Sequence, residues 1–242
     1  MRKRSTVAII VAATGLPFPL AAHAGVSFTF QDPSSAMEFL YTEGDAVNGG
    51  RISYNSPMGG SVLQLTVDAS DNGLAPIVFD AILDIDLDVS TAMDLGFGAI
   101  ANVTGTFRFF DASGGALRGV QPLILEGVVT NGSFFVIGTT GAQVSSSTDN
   151  SLSLNAGPAL QDYLDTGGLS LTEQMDSSFS LSGISLTGGG AGAPGINEFG
   201  YLESFTSNAA YVGNADIIPS PPAALALTTL ALTATRRRRR AA

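Results

Sequence analysis

Phe79-Asp80-Ala81-Ile82-Leu83-Asp84-Ile85-Asp86-Leu87-Asp88-Val89-Ser90 is the stretch whose reading decides the fold. Its odd positions, Phe79, Ala81, Leu83, Ile85, Leu87 and Val89, are all apolar, and the charges of Asp84, Asp86 and Asp88 fall on the even ones. Successive side chains of a strand point to opposite faces, so a period of two predicts one buried and one solvated face.

The same pattern recurs on both sides. Leu63, Leu65 and Val67 alternate with Gln64, Thr66 and Asp68. Val103, Gly105, Phe107 and Phe109 oppose Asn102, Thr104, Thr106 and Arg108. Leu123 to Thr130 and Ser133 to Gly138 read as two strands of a hairpin joined by Asn131-Gly132, a dipeptide suited to a tight turn. Other turns are expected at Asp71-Asn72-Gly73 and Ser113-Gly114-Gly115. Phe179 and Leu181 are followed by Ile184 and Leu186, a change of parity across Gly183 that predicts a β-bulge. The Gly-rich stretch Gly188 to Gly195 reads as a flexible loop before a strand-like Phe199 to Phe205. One or two short helices are expected: Pro33 to Leu40 is one candidate, and Ala159 to Leu164, opened by Pro158, is the better one. The predicted class is all-β and antiparallel: a β-sandwich, with a β-barrel-like closure as the alternative, since a barrel needs a strand count and register that a pattern does not supply. No internal repeat is present.

Both chain ends read as addresses rather than as fold. Met1-Arg2-Lys3-Arg4 is a positive leader, Val7 to Leu20 is apolar, and Ala22-His23-Ala24 forms a small-x-small cleavage site before Gly25. Residues 1–24 are thus expected to be a secretory signal peptide, handled by the secretion machinery and signal peptidase. At the other end, Ile217-Ile218-Pro219-Ser220-Pro221-Pro222 precedes an uncharged run from Ala223 to Thr235, then Arg236, Arg237, Arg238, Arg239 and Arg240. The run from Ala223 alone gives a helix of only about 20 Å, against about 30 Å of hydrocarbon; counting from Ile217 makes it long enough to span. The arginines would stop transfer and stay cytoplasmic, leaving the body outside. The expected division is a signal peptide over 1–24, an acidic exported domain over 25–216, and a sorting and anchor segment with a transmembrane helix over 217–242.

This tail resembles the PEP-CTERM sorting signal of Gram-negative and related bacteria, whose members carry a short Pro-x-Pro motif, a transmembrane stretch and a terminal arginine cluster. Pro219, Ser220 and Pro221 stand where that family usually has Pro-Glu-Pro, so Ser220 departs from the pattern. The resemblance covers Ile217 to Ala242 and nothing of the body. It implies processing by exosortase, an integral-membrane cysteine transpeptidase, and delivery to the cell surface or extracellular matrix. The alternative is an ordinary single-span anchor with an arginine stop.

Removing both ends leaves three basic residues, Arg51, Arg108 and Arg118, against all 21 Asp and Glu, a formal charge of 3 − 21 = −18. Such a field repels nucleic acid, which is excluded as a partner, and attracts divalent cations and basic groups. The body also has no Cys, His, Lys or Trp. Ser-His-Asp, Cys-His and Ser-Lys nucleophilic systems cannot be built from it, nor can His- or Cys-ligated metal sites. Without disulfides the fold must stand on its core.

Two acidic features compete as candidate sites. Asp84, Asp86 and Asp88 sit like positions 1, 3 and 5 of a Ca²⁺ loop, but the sixth position is Val89 and the twelfth Leu95, so a solvated polar face is the competing reading. Arg108 is expected across from them if the strands pair. Carboxylate pairs for glycoside hydrolysis are available in any chain this acidic, while the missing tryptophan removes the usual sugar-stacking platform. The expected function is that of an exported, non-enzymatic surface or matrix-associated protein, first membrane-anchored and then processed. The alternative is a Ca²⁺-assisted module binding carbohydrate, such as exopolysaccharide, or matrix. No other cofactor is expected.

Overall fold

A computed structural model of the chain describes residues 25–31, 38–54, 62–113, 122–138, 141–147, 151–188 and 193–220. The strands are β1 (Gly25–Gln31), β2 (Phe39–Thr42), β3 (Gly50–Tyr54), β4 (Leu63–Asp68), β5 (Ile77–Val89), β6 (Met93–Asp94), β7 (Gly98–Asp111), β8 (Leu123–Ile137), β9 (Gly141–Ser147), β10 (Leu152–Ala156), β11 (Leu169–Leu186) and β12 (Phe205–Pro219). Among the described residues one helix, α1 (Pro158–Thr166), lies between β10 and β11. The all-β antiparallel class is as expected.

The twelve strands belong to one sheet, and its ladders close on themselves. From β12 the hydrogen bonds run through β11, β9, β8, β7 and β5, then back to β12 by two routes, β4 with β1 and β3 with β2. Closure works because β5 and β12 are long enough to hold two short neighbours end to end on one edge. On β5 these are β4, along Ile77 to Ala81, and β3, along Asp86 to Val89. On β12 they are β1, along Ala210 to Asp216, and β2, along Phe205 to Ser207. The strands are therefore not divided into the two separately bonded sheets of a sandwich. The pairing follows the barrel-like alternative, which leaves fewer unpaired edges.

Inward positions fill the enclosed space. Leu83, Ile85, Leu87 and Val89 of β5 are buried while Asp84, Asp86 and Asp88 are exposed, as the alternation predicts. Tyr211 of β12 stands among four rings, Phe179 at 4.8 Å, Phe109 at 5.3 Å, Phe107 at 5.5 Å and Phe30 at 6.0 Å between centroids. A second cluster joins Tyr41, Phe134 and Phe205. Phe107 also lies over Gly127, its register partner on β8, where a Cβ would collide with the ring. α1 is oriented by Leu160 and Leu164, both buried, and by the Tyr163 hydroxyl, which donates to the Ala75 carbonyl at 2.9 Å.

Several local expectations meet the structure differently. Gly183 does sit at a bulge: Ser182 pairs with Asn208 but Ser185 with Thr206, and Gly183 has φ 66°. The turn at Asp71-Asn72-Gly73 is a short 3₁₀ turn closed by Gly73 at φ 81°, and the helix after Asn155 is α1. Asn131-Gly132, however, is no hairpin. β8 passes straight through it, because one edge changes partner there, from β10 along Leu125 to Val129 to β9 along Ser133 to Ile137. On the other edge the register with β7 shifts at the same place, between Val103 opposite Gly132 and Gly105 opposite Val129. Phe39 and Leu40 belong to β2 rather than to a first helix, since the pairing with β3 and β12 claims their backbone; residues 32–37 lie outside the described ones. In the stretch Phe199 to Phe205 only Phe205 enters a strand; Leu202 makes an isolated bridge to Ile196 around a turn. Ser113 is described, whereas Gly114 and Gly115 lie outside.

Candidate functional site

The first and last described residues leave the barrel at the same end. Gly25, the residue after the expected signal cleavage, is already in the ladder: it pairs with Asp216 of β12, and its carbonyl accepts the Asn72 side-chain amide at 3.2 Å. At the other terminus β12 continues past the boundary expected at residue 217. Ile217, Ile218 and Pro219 pair with Leu171, Ser170 and Leu169 of β11, and Ile217 is 6% exposed, part of the core. Pro219 ends the strand, a place where its missing N–H is tolerated. Ser220 is buried, and its N–H donates to the Gly168 carbonyl at 2.7 Å. Gly168, at φ 65°, sits in the turn between α1 and β11, with its own N–H on the Asp165 carbonyl.

Of the expected sorting motif, Pro219 and Ser220 are thus bound into the body. Pro221, the arginines 236–240 and the leader residues Ala22 and Ala24 lie outside the described residues, as do the expected signal peptide and C-terminal transmembrane helix. Among the described residues no helix is long and apolar enough to cross a membrane.

The acidic strand presents its charges outward. Asp84 pairs in register with Arg108 of β7, as expected, but the Arg108 guanidinium turns to Glu126 of β8, at 2.7 Å. Arg51, from β3, takes the carboxylate of Asp86 instead, through an exposed bridge of 2.9 Å. Such a bridge in water contributes little, about 0–1 kcal/mol. Among the described residues no group of three or more acidic side chains is placed to hold a metal ion. Glu38 is the one buried carboxylate among them.

A second surface combines residues too distant in the chain to be linked by reading it. Asp68, Ser27, Asn214, Asp176 and Ser147 stand in register across β4, β1, β12, β11 and β9. The Asn214 amide donates to Asp176 at 2.8 Å, and Gln143 donates to Ser178 at 2.8 Å in the next outward row. Beside them is a recess of about 330 Å³ lined by hydroxyls, with Asn131 and Asp176. The only sequence signal for this face is the run of small polar residues at 145–147 and 176–178. Asp68 is held below the usual carboxylate range by the Ser70 backbone N–H, and Asp45 likewise by those of Asn48 and Val47.

Inside the barrel, burial raises the Tyr211 phenol well above its ordinary value; the charge of Asp176 adds to the rise and the Ser177 hydroxyl opposes it. Burial raises Tyr41 in the same direction. Both phenols are buried among the core side chains. Compared with known families, with curated proteins and with solved structures, the chain shows no match.

Proposed function

We propose that this is an exported, non-enzymatic surface or extracellular-matrix protein, delivered by its N-terminal signal and processed at its C-terminal tail by an exosortase-like transpeptidase. The observation that carries this reading is that, among the described residues, the ladder runs from Gly25, the residue after the expected leader, into Pro219 at the head of the expected tail. Gly25 and Pro219 lie at one end of the barrel. Removal of the leader and of the arginine-bearing tail would leave every described strand in place. The run from Ala223, about 20 Å if helical and lengthened in reach by the arginine stems, would hold the body at the membrane by that end before processing. An acidic, hydroxyl-rich exterior suits a hydrated matrix of exopolysaccharide, where net charge keeps the protein dispersed.

The test is the intact mass of the mature protein purified from its native host. A chain that begins at Gly25 and lacks Arg236 to Arg240 supports the reading. A chain that keeps the arginines is a plain single-span membrane protein.

A further inference from the structure

Resting on that proposed processing, we infer that the fold itself sets where the C-terminal cut falls: the Pro219–Ser220 bond is closed while the body is folded, so the tail is removed on the C-terminal side of Ser220. Three observations converge on this bond. The residues before it, Ile217 to Pro219, are paired with β11. Ile217 points into the core and is 6% exposed. The residue after it, Ser220, is buried and bonded through its N–H to Gly168, 2.7 Å away.

The acceptor is itself fixed. Gly168 and Gly167 close the end of α1 through N–H bonds to Asp165 and Leu164, and Leu164 is buried with Leu160. A protease or transpeptidase binds its substrate as an extended segment whose backbone groups are free to pair with the enzyme. Presenting Pro219–Ser220 in that form requires stripping Ile217 to Pro219 from β11, releasing Ser220 from Gly168 and drawing Ile217 out of the core, a local unfolding event that makes the open form a minor population. The chemistry is unaffected by where the cut falls: the peptide C–N bond breaks, the carbonyl carbon passes to water or an amine acceptor, and the departing amine takes up the proton. What the fold decides is which carbonyl is offered. The expected sorting motif is, on its N-terminal side, the end of strand β12.

The experiment uses the full chain in detergent micelles and a proline-specific endoprotease that accepts intact proteins. Cleavage of Pro219–Ser220 is followed by mass and compared with the same bond in a synthetic peptide of residues 214–226 under the same conditions. Cleavage in the folded chain is expected to be at least about tenfold slower than in the peptide, because it tracks the open population. A difference smaller than that overturns the inference. So does a mature host protein ending at Pro219 or earlier, which would leave processing itself intact. A host protein still carrying Arg236 to Arg240 would instead remove the proposed processing, while the protection of the bond would still be decided by the protease rates.

Discussion

β5 and β12 occupy equivalent places in the barrel and are written in different alphabets. Each has one long neighbour, β7 or β11, and one edge shared by two short strands. On the inward face β5 carries Ala81, Leu83, Ile85, Leu87 and Val89, a uniform aliphatic stripe. β12 carries Phe205, Ser207, Ala209, Tyr211, Gly213, Ala215 and Ile217, large rings separated by small residues. An aliphatic strand buries about the same area at each step, whereas an aromatic and small alternation concentrates its packing at a few points and leaves room for rings from elsewhere. Tyr211 is such a point, and its hydroxyl fills the space a side chain at Gly213 would need.

The contrast can be broken by deleting one side chain from each strand. Tyr211→Ala removes a ring that touches four others and is expected to destabilise by about 3–5 kcal/mol, while Ile85→Ala should cost about 2–4 kcal/mol. Urea unfolding of both variants checks the order; equal losses would mean that the two strands contribute evenly.

The contrast sharpens at alkaline pH. An unfolded tyrosine ionises near pH 10, whereas buried Tyr211 keeps its proton to higher pH. Its contribution is therefore fully present below about pH 10 and is lost as pH rises beyond it, at up to about 1.4 kcal/mol per pH unit. Tyr41 acts with the same sign. Tyr211→Phe should lose less stability than wild type between pH 9 and 11, by roughly 1 kcal/mol. Parallel pH profiles of the two proteins would show that the phenol stays protonated no longer in the fold than out of it.

The smallest effect is expected on the outer face of β5. Asp86→Asn removes an exposed bridge to Arg51 and should change stability by no more than about 0.5 kcal/mol, less in high salt. A loss of 2 kcal/mol in thermal melts would show that the acidic face is structural.

This difference between strands also explains what could be read beforehand. β5, β4 and the run Asn102 to Phe109 were legible because their alternation is local and unbroken. The bulge at Gly183 was legible because a parity change is local too. The partner switch along β8 was not: Asn131-Gly132 has the composition of a turn, and only β9 and β10, later in the chain, require the strand to continue. The end of β12 was read as part of a membrane tail because Ile217-Ile218 is apolar in either setting; its pairing with Leu169 to Leu171 is a long-range fact. Closure into one sheet was undetermined for the same reason, being set by registers between β5, β12 and four short strands. The face joining Asp68, Ser27, Asn214 and Asp176 is likewise assembled from four separated segments.

Ile217 to Ser220 are bound into the body of the barrel. Two chains, residues 25–220 and 25–216, test this directly by thermal melting. The shorter one should lose about 2 kcal/mol, from the buried Ile217 and its ladder. That corresponds to a midpoint lower by about 4–8 °C for a domain of this size. Identical midpoints would contradict the account and return residues 217–220 to the tail.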